Sequence, residues 1–290
     1  MVEILERMPP SPEAVRNEQE RAIARSLERI RHKLLVMSGK GGVGKTSTAV
    51  NLALTLSARG KRVGLMDVDL HGPDVPRMLG LSGTPELNPQ RKLNPLRVSE
   101  TLSAISMESF LPSRDDAVIW RGPLKFSAIR QFIGDVEWGD LDFLIIDAPP
   151  GTGDEPLTVA QQVPNARAVI VTTPQEVALA DVRKSINFCR TVKMEILGLI
   201  ENMSGFACPH CGKPVDLFGT GGGERTCREM GIAFLGRIPL DPRMVDCADR
   251  GCSFIQSYPD SPVSRALDAV AERILAATDS GNRSPLPPAG

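Results

Sequence analysis

The chain has 290 residues, 41% hydrophobic and 24% charged, enough for one large α/β domain with a buried core. With 34 basic against 35 acidic residues, the net charge of −1 gives no reason to expect nucleic acid, and 4% aromatic residues supply few stacking platforms for single strands. No apolar run reaches the roughly 18–20 residues of a membrane span, and Met1 to Pro10 lacks an apolar signal region, so no membrane partner is expected. The expected location is the cytoplasm, where the six cysteines stay reduced. Residues 11–32 read as a charged helical extension, 1–32 in all, with Ser11 as cap and Pro12 in the first turn. From there short apolar runs alternate with helical stretches. The strand candidates are Lys33–Ser38, Arg62–Asp67, Ser103–Met107, Asp142–Asp147, Ala166–Thr173, Glu195–Met203 and Ala233–Ile238. Helices are expected over Lys45–Arg59, Leu124–Ile133, Glu155–Val163, Glu176–Lys193, Glu224–Met230 and Ser261–Ala277. Continuous apolar strands belong to sheets covered on both faces, so the order predicts a single doubly wound, mostly parallel α/β domain over 33–277. Its ligands should lie at the carboxyl ends of the strands. Gly80–Val98 and Gly205–Gly223 interrupt the rhythm as long loops of the functional kind, and 278–290 reads as a disordered Ser/Gly/Pro-rich tail.

Gly39-Lys40-Gly41-Gly42-Val43-Gly44-Lys45-Thr46 matches G-x-x-x-x-G-K-[ST], with a strand leading in through Leu34–Met37 and a helix following from Ser47. The glycines let successive N–H groups turn toward phosphate at the positive end of the helix dipole. Lys45 is expected on the β- and γ-phosphates of ATP, and the Thr46 hydroxyl on Mg²⁺. Lys40 stands too early to share those contacts without crowding Lys45. The run K-G-G-V-G-K-T resembles the deviant Walker A loop of the SIMIBI-class ATPases. That resemblance implies that Lys40 reaches across a dimer interface to the partner's nucleotide and offsets charge in the transition state.

A phosphate loop needs carboxylates to hold metal and orient water. Leu144-Ile145-Ile146-Asp147 is an apolar strand ending in Asp, which makes Asp147 the candidate for Mg²⁺ through a bound water. The Gly- and Pro-rich run to Asp154 suits a γ-phosphate sensor, and Asp154 sits where the sensor passes its state onward. Asp67 and Asp69 close the second strand. Asp69 is assigned to the attacking water and Asp67 to support near Mg²⁺; the alternative for the pair is a solvated strand end.

Cys208-Pro209-His210-Cys211 supplies two thiolates where zinc or a cubane cluster takes four. A second close pair is missing. Met230 stands where a partner for Cys227 would be, and Cys247 and Cys252 are too widely spaced. The site is therefore either incomplete or shared. A two-fold dimer with Cys208 and Cys211 from each protomer gives four thiolates for one bridging [4Fe–4S] cluster, with zinc and thiol redox as alternatives. His210 is a further ligand candidate or a solvent-facing turn residue. Cys189 reads as core, and buried thiols are the default for Cys227, Cys247 and Cys252.

Together GKGGVGKTS, DVDLHGPDVPRMLG, Trp120-Arg121-Gly122-Pro123, IIDAPPGTGD, Thr173-Pro174-Gln175 and ENMSGFACPHCG closely resemble the Mrp/ApbC (Nbp-type) family, from about Lys33 to about Ala276. The resemblance implies a slow ATPase that carries a bridging [4Fe–4S] cluster on Cys208 and Cys211 and passes it to apo-proteins. It also implies that Asn202 reads the adenine edge while Pro239 and Asp241 pack around the base. No cysteine precedes Cys189, so the N-terminal cluster of the longer eukaryotic members is not expected. The expectation is a minimal, bacterial-like homodimer, with a heterodimer of related chains as the alternative. The rival reading is a MinD/ParA-like positioning ATPase with structural zinc at the Cys pair. Its membrane forms need a basic amphipathic C-terminal helix, whereas 260–277 sets Asp260, Asp268 and Glu272 against Arg265 and Arg273 and suits docking onto the sheet.

Overall fold

Just past Glu28 the chain changes from helix to strand. The computed structural model describes residues 12–69, 72–110, 122–208 and 210–279. Helix α1 (Pro12–Glu28) is shorter than the expected 11–32, because strand β1 (Ile30–Ser38) begins three residues ahead of Lys33. The cause is pairing: Ile30 and His32 are in register with Leu141 and Phe143 on β5 (Leu141–Asp147). Ile23, Leu27 and Ile30 then bury against Ile129, Phe132 and Ile133 of α4 (Gly122–Asp135).

Among the described residues the sheet has nine strands. Besides β1 and β5 they are β2 (Val63–Asp67), β3 (Leu96–Arg97), β4 (Leu102–Ser106), β6 (Ala166–Thr172), β7 (Glu195–Ala207), β8 (Pro214–Val215) and β9 (Phe234–Leu240). Their order is β3-β4-β2-β5-β1-β6-β7-β8, with β9 also on β7. The short strands β3 and β8 pair antiparallel and the rest are parallel, as the doubly wound expectation requires. β1 shows why: Leu34 and Val36 enter one apolar cluster and Leu35 the opposite one, all fully buried. Each such side chain is worth about 1.5–3 kcal/mol of burial, and an alternating strand would forfeit half of it.

The remaining helices are α2 (Lys45–Ala58), α3 (Val75–Met78), α5 (Asp154–Gln162), α6 (Glu176–Thr191), α7 (Gly222–Met230), α8 (Arg243–Arg250), α9 (Phe254–Ser257) and α10 (Pro262–Asp279). α10 docks on the sheet as its charge pattern suggests. Val263, Leu267, Val270 and Ile274 are buried, while Asp268 and Glu272 pair with Arg59 on the outer side.

The two irregular segments are more structured than loops. In Gly80–Val98, Leu93 bridges Leu87 and Val136 ahead of β3. The cysteine segment is a hairpin: β7 runs four residues past the expected Met203 and returns as β8, with Phe206 opposite Val215. It gets there through a register shift against β9 between Asn202 and Phe206, where Met203 (φ 54°) and Gly205 (φ 80°) take left-handed conformations. One backbone contact ties distant loops. A Cβ at Gly80 would lie 2.7 Å from the Gly251 carbonyl oxygen, and one at Gly251 would lie 2.4 Å from the Gly80 Cα. Residues 1–11 and 280–290, which hold most of the expected tail, and Leu70, His71, Trp120, Arg121 and Pro209 of the motifs lie outside the described residues.

Candidate functional site

Strand β1 is central, and the chain leaves it for β2 on one side before crossing later to β6 on the other. The loop after β1 therefore opens at the crevice where strand order reverses. The Ser38 hydroxyl donates to the Lys40 carbonyl (2.9 Å) and so folds Gly39–Lys45 back over the strand end. Gly44 enters α2 at φ 77°, and a Cβ there would lie 2.3 Å from the Asn202 amide nitrogen, so only glycine fits. Ser47 follows in the first turn of α2, and its carbonyl accepts from the Asn51 amide (2.8 Å).

Three side chains meet at the floor of the loop. Lys45 Nζ donates to Asp147 Oδ1 (2.7 Å), and the Thr46 hydroxyl donates to Asp147 Oδ2 (2.7 Å). Asp67 stands beside Asp147 in register on the neighbouring strand and is fully buried. It accepts from the Ser106 hydroxyl (2.9 Å), the Asp69 N–H (3.1 Å) and the Val75 N–H (3.4 Å). Burial pushes the Asp67 carboxyl well up from the ordinary carboxylate range, with the Asp147 charge as second cause. Burial raises Asp147 too, opposed by Lys45. Asp69 is buried and its carboxylate accepts from the Gly72 N–H (3.2 Å). Two acids crowded behind one lysine form a pocket short of positive charge. The oxygens of Thr46 and Asp147 are the hard donors a Mg²⁺ ion takes.

The strand-end loop after β5 closes this floor. The Ala148 and Gly151 N–H groups donate to Val36 and Ser38 carbonyls (3.2 and 2.8 Å), and Asp154 opens α5 with its side chain exposed. Lys40 is half-buried in the loop. The structure thus brings Gly39–Ser47, Asp67, Asp69, Asp147 and Asn202 into one crevice. The Asn202 amide nitrogen is on the loop itself, donating to the Val43 carbonyl (2.9 Å).

Pro239 and Asp241 follow Ile238, the register partner of Asn202, and stand in the wall of a cavity of about 530 Å³ that Phe206, Cys208, Arg243 and Val263 also line. Arg243 grips Asp241 (2.9 and 2.6 Å), holding that carboxyl below its usual range, and lies 4.3 Å over the Tyr258 ring. The expected base-packing residues therefore share a wall with the first cysteine.

At the hairpin tip the Cys208 N–H donates to the Lys213 carbonyl (2.9 Å) and the Gly212 N–H to the Cys208 carbonyl (2.8 Å). Backbone N–H groups of His210 and Cys211, and then the Cys211 thiol, lower the Cys208 thiol from its ordinary value. Cys211 and His210 are exposed. The other thiols differ: burial pushes Cys189 up to about 11, Cys227 to about 12 and Cys247 to about 11. Cys252, expected buried, is exposed past the end of α8. Among the described residues no group of three or more His, Cys, Asp and Glu side chains could hold a metal ion. Within one chain the pair Cys208 and Cys211 offers two thiolates.

Sequence reasoning missed Glu201, a buried carboxylate in the apolar end of β7, and its neighbour Arg237 (3.6 Å). A charged residue inside an otherwise apolar strand run was the available signal.

Residues 29–275 match the family model described as ParA: NUBPL iron-transfer P-loop NTPase. The chain is 44% identical over 267 residues to the iron-sulfur cluster carrier protein of Methanocaldococcus jannaschii, covering 92% of this chain and 91% of that one. It is 46% identical to the cytosolic Fe-S cluster assembly factor NUBP2 of Bos taurus, covering 88% and 96%. Among solved structures, a nucleotide-binding protein from Archaeoglobus fulgidus in complex with ADP superposes with TM-score 0.72 at 38% identity, over 85% of this chain and 95% of that one. The cell division ATPase MinD of Pyrococcus furiosus, 22% identical over 85% and 99%, shares the fold with TM-score 0.63. By the family match and these identities, the chain belongs to the iron-transfer P-loop NTPases of the ParA group.

Proposed function

We propose that this chain is an ATP-hydrolysing carrier that holds a [4Fe–4S] cluster as cargo between the Cys208 and Cys211 thiolates of two protomers and passes it to apo-proteins in the cytoplasm. The observation that carries the proposal is the hairpin tip. It puts two adjacent thiols on an exposed turn, one of them primed toward thiolate by backbone N–H groups, beyond a strand whose root touches the phosphate loop. Two thiolates per chain suit a cluster shared across a two-fold axis.

Lys45 and the Gly39–Thr46 backbone would bind the phosphates, and Thr46 with Asp147 would hold Mg²⁺, which offsets phosphate charge when bound. Lys45 must then leave Asp147 for the phosphates, a move of one salt bridge. Asp69 would orient water, Asp154 would relay the loop's state, and Lys40 would act on the partner's nucleotide. Pro239 and Asp241 would flank the base and Asn202 would read the adenine edge, while its amide nitrogen holds the Val43 carbonyl. The docked α10 supports the carrier over a membrane-positioning role, because its apolar face is already buried.

Anaerobic reconstitution with iron and sulfide tests the reading. The wild-type chain should gain the broad brown absorbance of a cluster at about four irons per dimer. Cys208→Ala should lose it while still binding ATP. A variant that keeps the cluster, or wild-type protein that takes up zinc without sulfide, would defeat the proposal.

A further inference from the structure

The buried Glu201 has more hydrogen-bond donors than strand pairing needs. Its Oε1 accepts from the Ser204 hydroxyl (2.5 Å) and the Gly221 N–H (2.9 Å), and its Oε2 from the Gly223 N–H. Arg237, its register partner on β9, brings a guanidinium nitrogen to 3.6 Å. Ser204 precedes the cysteine hairpin and Gly221 to Gly223 follow it, so one carboxylate clamps both ends of the segment carrying Cys208 and Cys211. It also meets the N-terminus of α7, where a negative charge is favoured. The fit is close: a Cβ at Gly223 would lie 2.9 Å from Glu201 Oε2.

The next residue faces the other way. Asn202 donates to the Val43 carbonyl of the phosphate loop (2.9 Å) and fills the space against Gly44. Met203, at φ 54°, sits over the same glycine. Two consecutive residues thus hold the phosphate loop and the root of the hairpin. Between them lies a single peptide unit, which is rigid.

We propose that Glu201 is a positioning residue through which the phosphate loop sets the reactivity of Cys208 and Cys211. A shift of Val43 and Gly44 on nucleotide binding moves Asn202. The rigid link carries that shift to Glu201, and the three hydrogen bonds and one ion pair on its carboxylate turn it into a change at both feet of the hairpin. The route lies inside one chain and does not pass through the loop after β5. Its purpose rests on the cluster reading above, but its test needs no cluster.

The experiment uses the full chain carrying Cys252→Ser, which leaves the exposed Cys211 and the half-buried Cys208 as the accessible thiols, since Cys189, Cys227 and Cys247 are buried. The rate of reaction with an aromatic disulfide reagent is measured with and without a saturating non-hydrolysable ATP analogue and Mg²⁺. In this parent the nucleotide should change the rate at least about fivefold, the lower range of coupling between sites. Glu201→Gln keeps the shape, removes the charge, and should bring the ratio to about one with analogue affinity within about twofold of the parent. A hairpin that is merely loosened would react faster in both states and keep its ratio. A parent that binds the analogue without a rate change, or a Glu201→Gln variant with the parent's ratio, overturns the proposal. If that variant fails to bind nucleotide, Ser204→Ala decides: a reduced ratio supports the clamp and an unchanged one overturns it. A chain that shows the coupling but takes up no cluster refutes the carrier and leaves the clamp standing.

Discussion

At the floor of the phosphate loop, Asp67 and Asp147 end neighbouring strands in register with Lys45 against only one of them. Desolvation makes Asp67 bind its proton more tightly folded than unfolded. Stability should therefore fall as pH rises above the unfolded carboxylate value of about 3.9, until the raised folded value is reached. Asp67→Asn should accordingly raise the melting temperature at neutral pH, with a gain that shrinks toward zero as pH drops below about 4. Thermal melts across that range check it, and a gain that grew toward acid would reverse the sign of the argument. Lys45 and Thr46 were legible because their chemistry needs fixed spacing along one β-loop-α unit, and Asp147 because it ends an apolar strand run of its own. Glu201 was not. Its partners Gly221 and Gly223 lie far along the chain and meet it only after the hairpin folds back.

Among the elements, the parallel strands could be read from continuous apolar runs, because β1, β2, β5 and β6 are buried on both faces. Short elements such as α3, α9 and β8 were illegible: one turn or one pair of residues carries no periodicity. The strand signal of β7 stops at Met203 because Ser204-Gly205 resembles a strand end, whereas Gly205 lets the chain bulge and continue to Ala207. α10 divides cleanly between an inner and an outer side. Leu267→Ala should cost about 2–5 kcal/mol, the range for a buried leucine. Glu272→Ala removes one exposed partner of Arg59 and should cost less than about 1 kcal/mol. Urea unfolding of both variants gives the comparison, and equal losses would mean that α10 is held by its charges.

For the whole molecule, a half-buried Lys40 in the phosphate loop and two thiols at a hairpin tip pose the same question. Under the proposed reading, each acts only where a second protomer meets it. Lys40→Ala should keep nucleotide binding and lose hydrolysis on the order of a hundredfold, as when one transition-state donor is removed. Mixing it with Lys45→Ala should restore activity, because the second variant lends its Lys40 to the first variant's nucleotide. A mixture no faster than its components would place Lys40 in its own chain's site.

The touching backbones of Gly80 and Gly251 carry a consequence of their own. Neither position has room for a side chain, so an alanine at Gly80 or Gly251 has to push the end of α3 away from the far end of α8, the helix that opens with Arg243 over Tyr258.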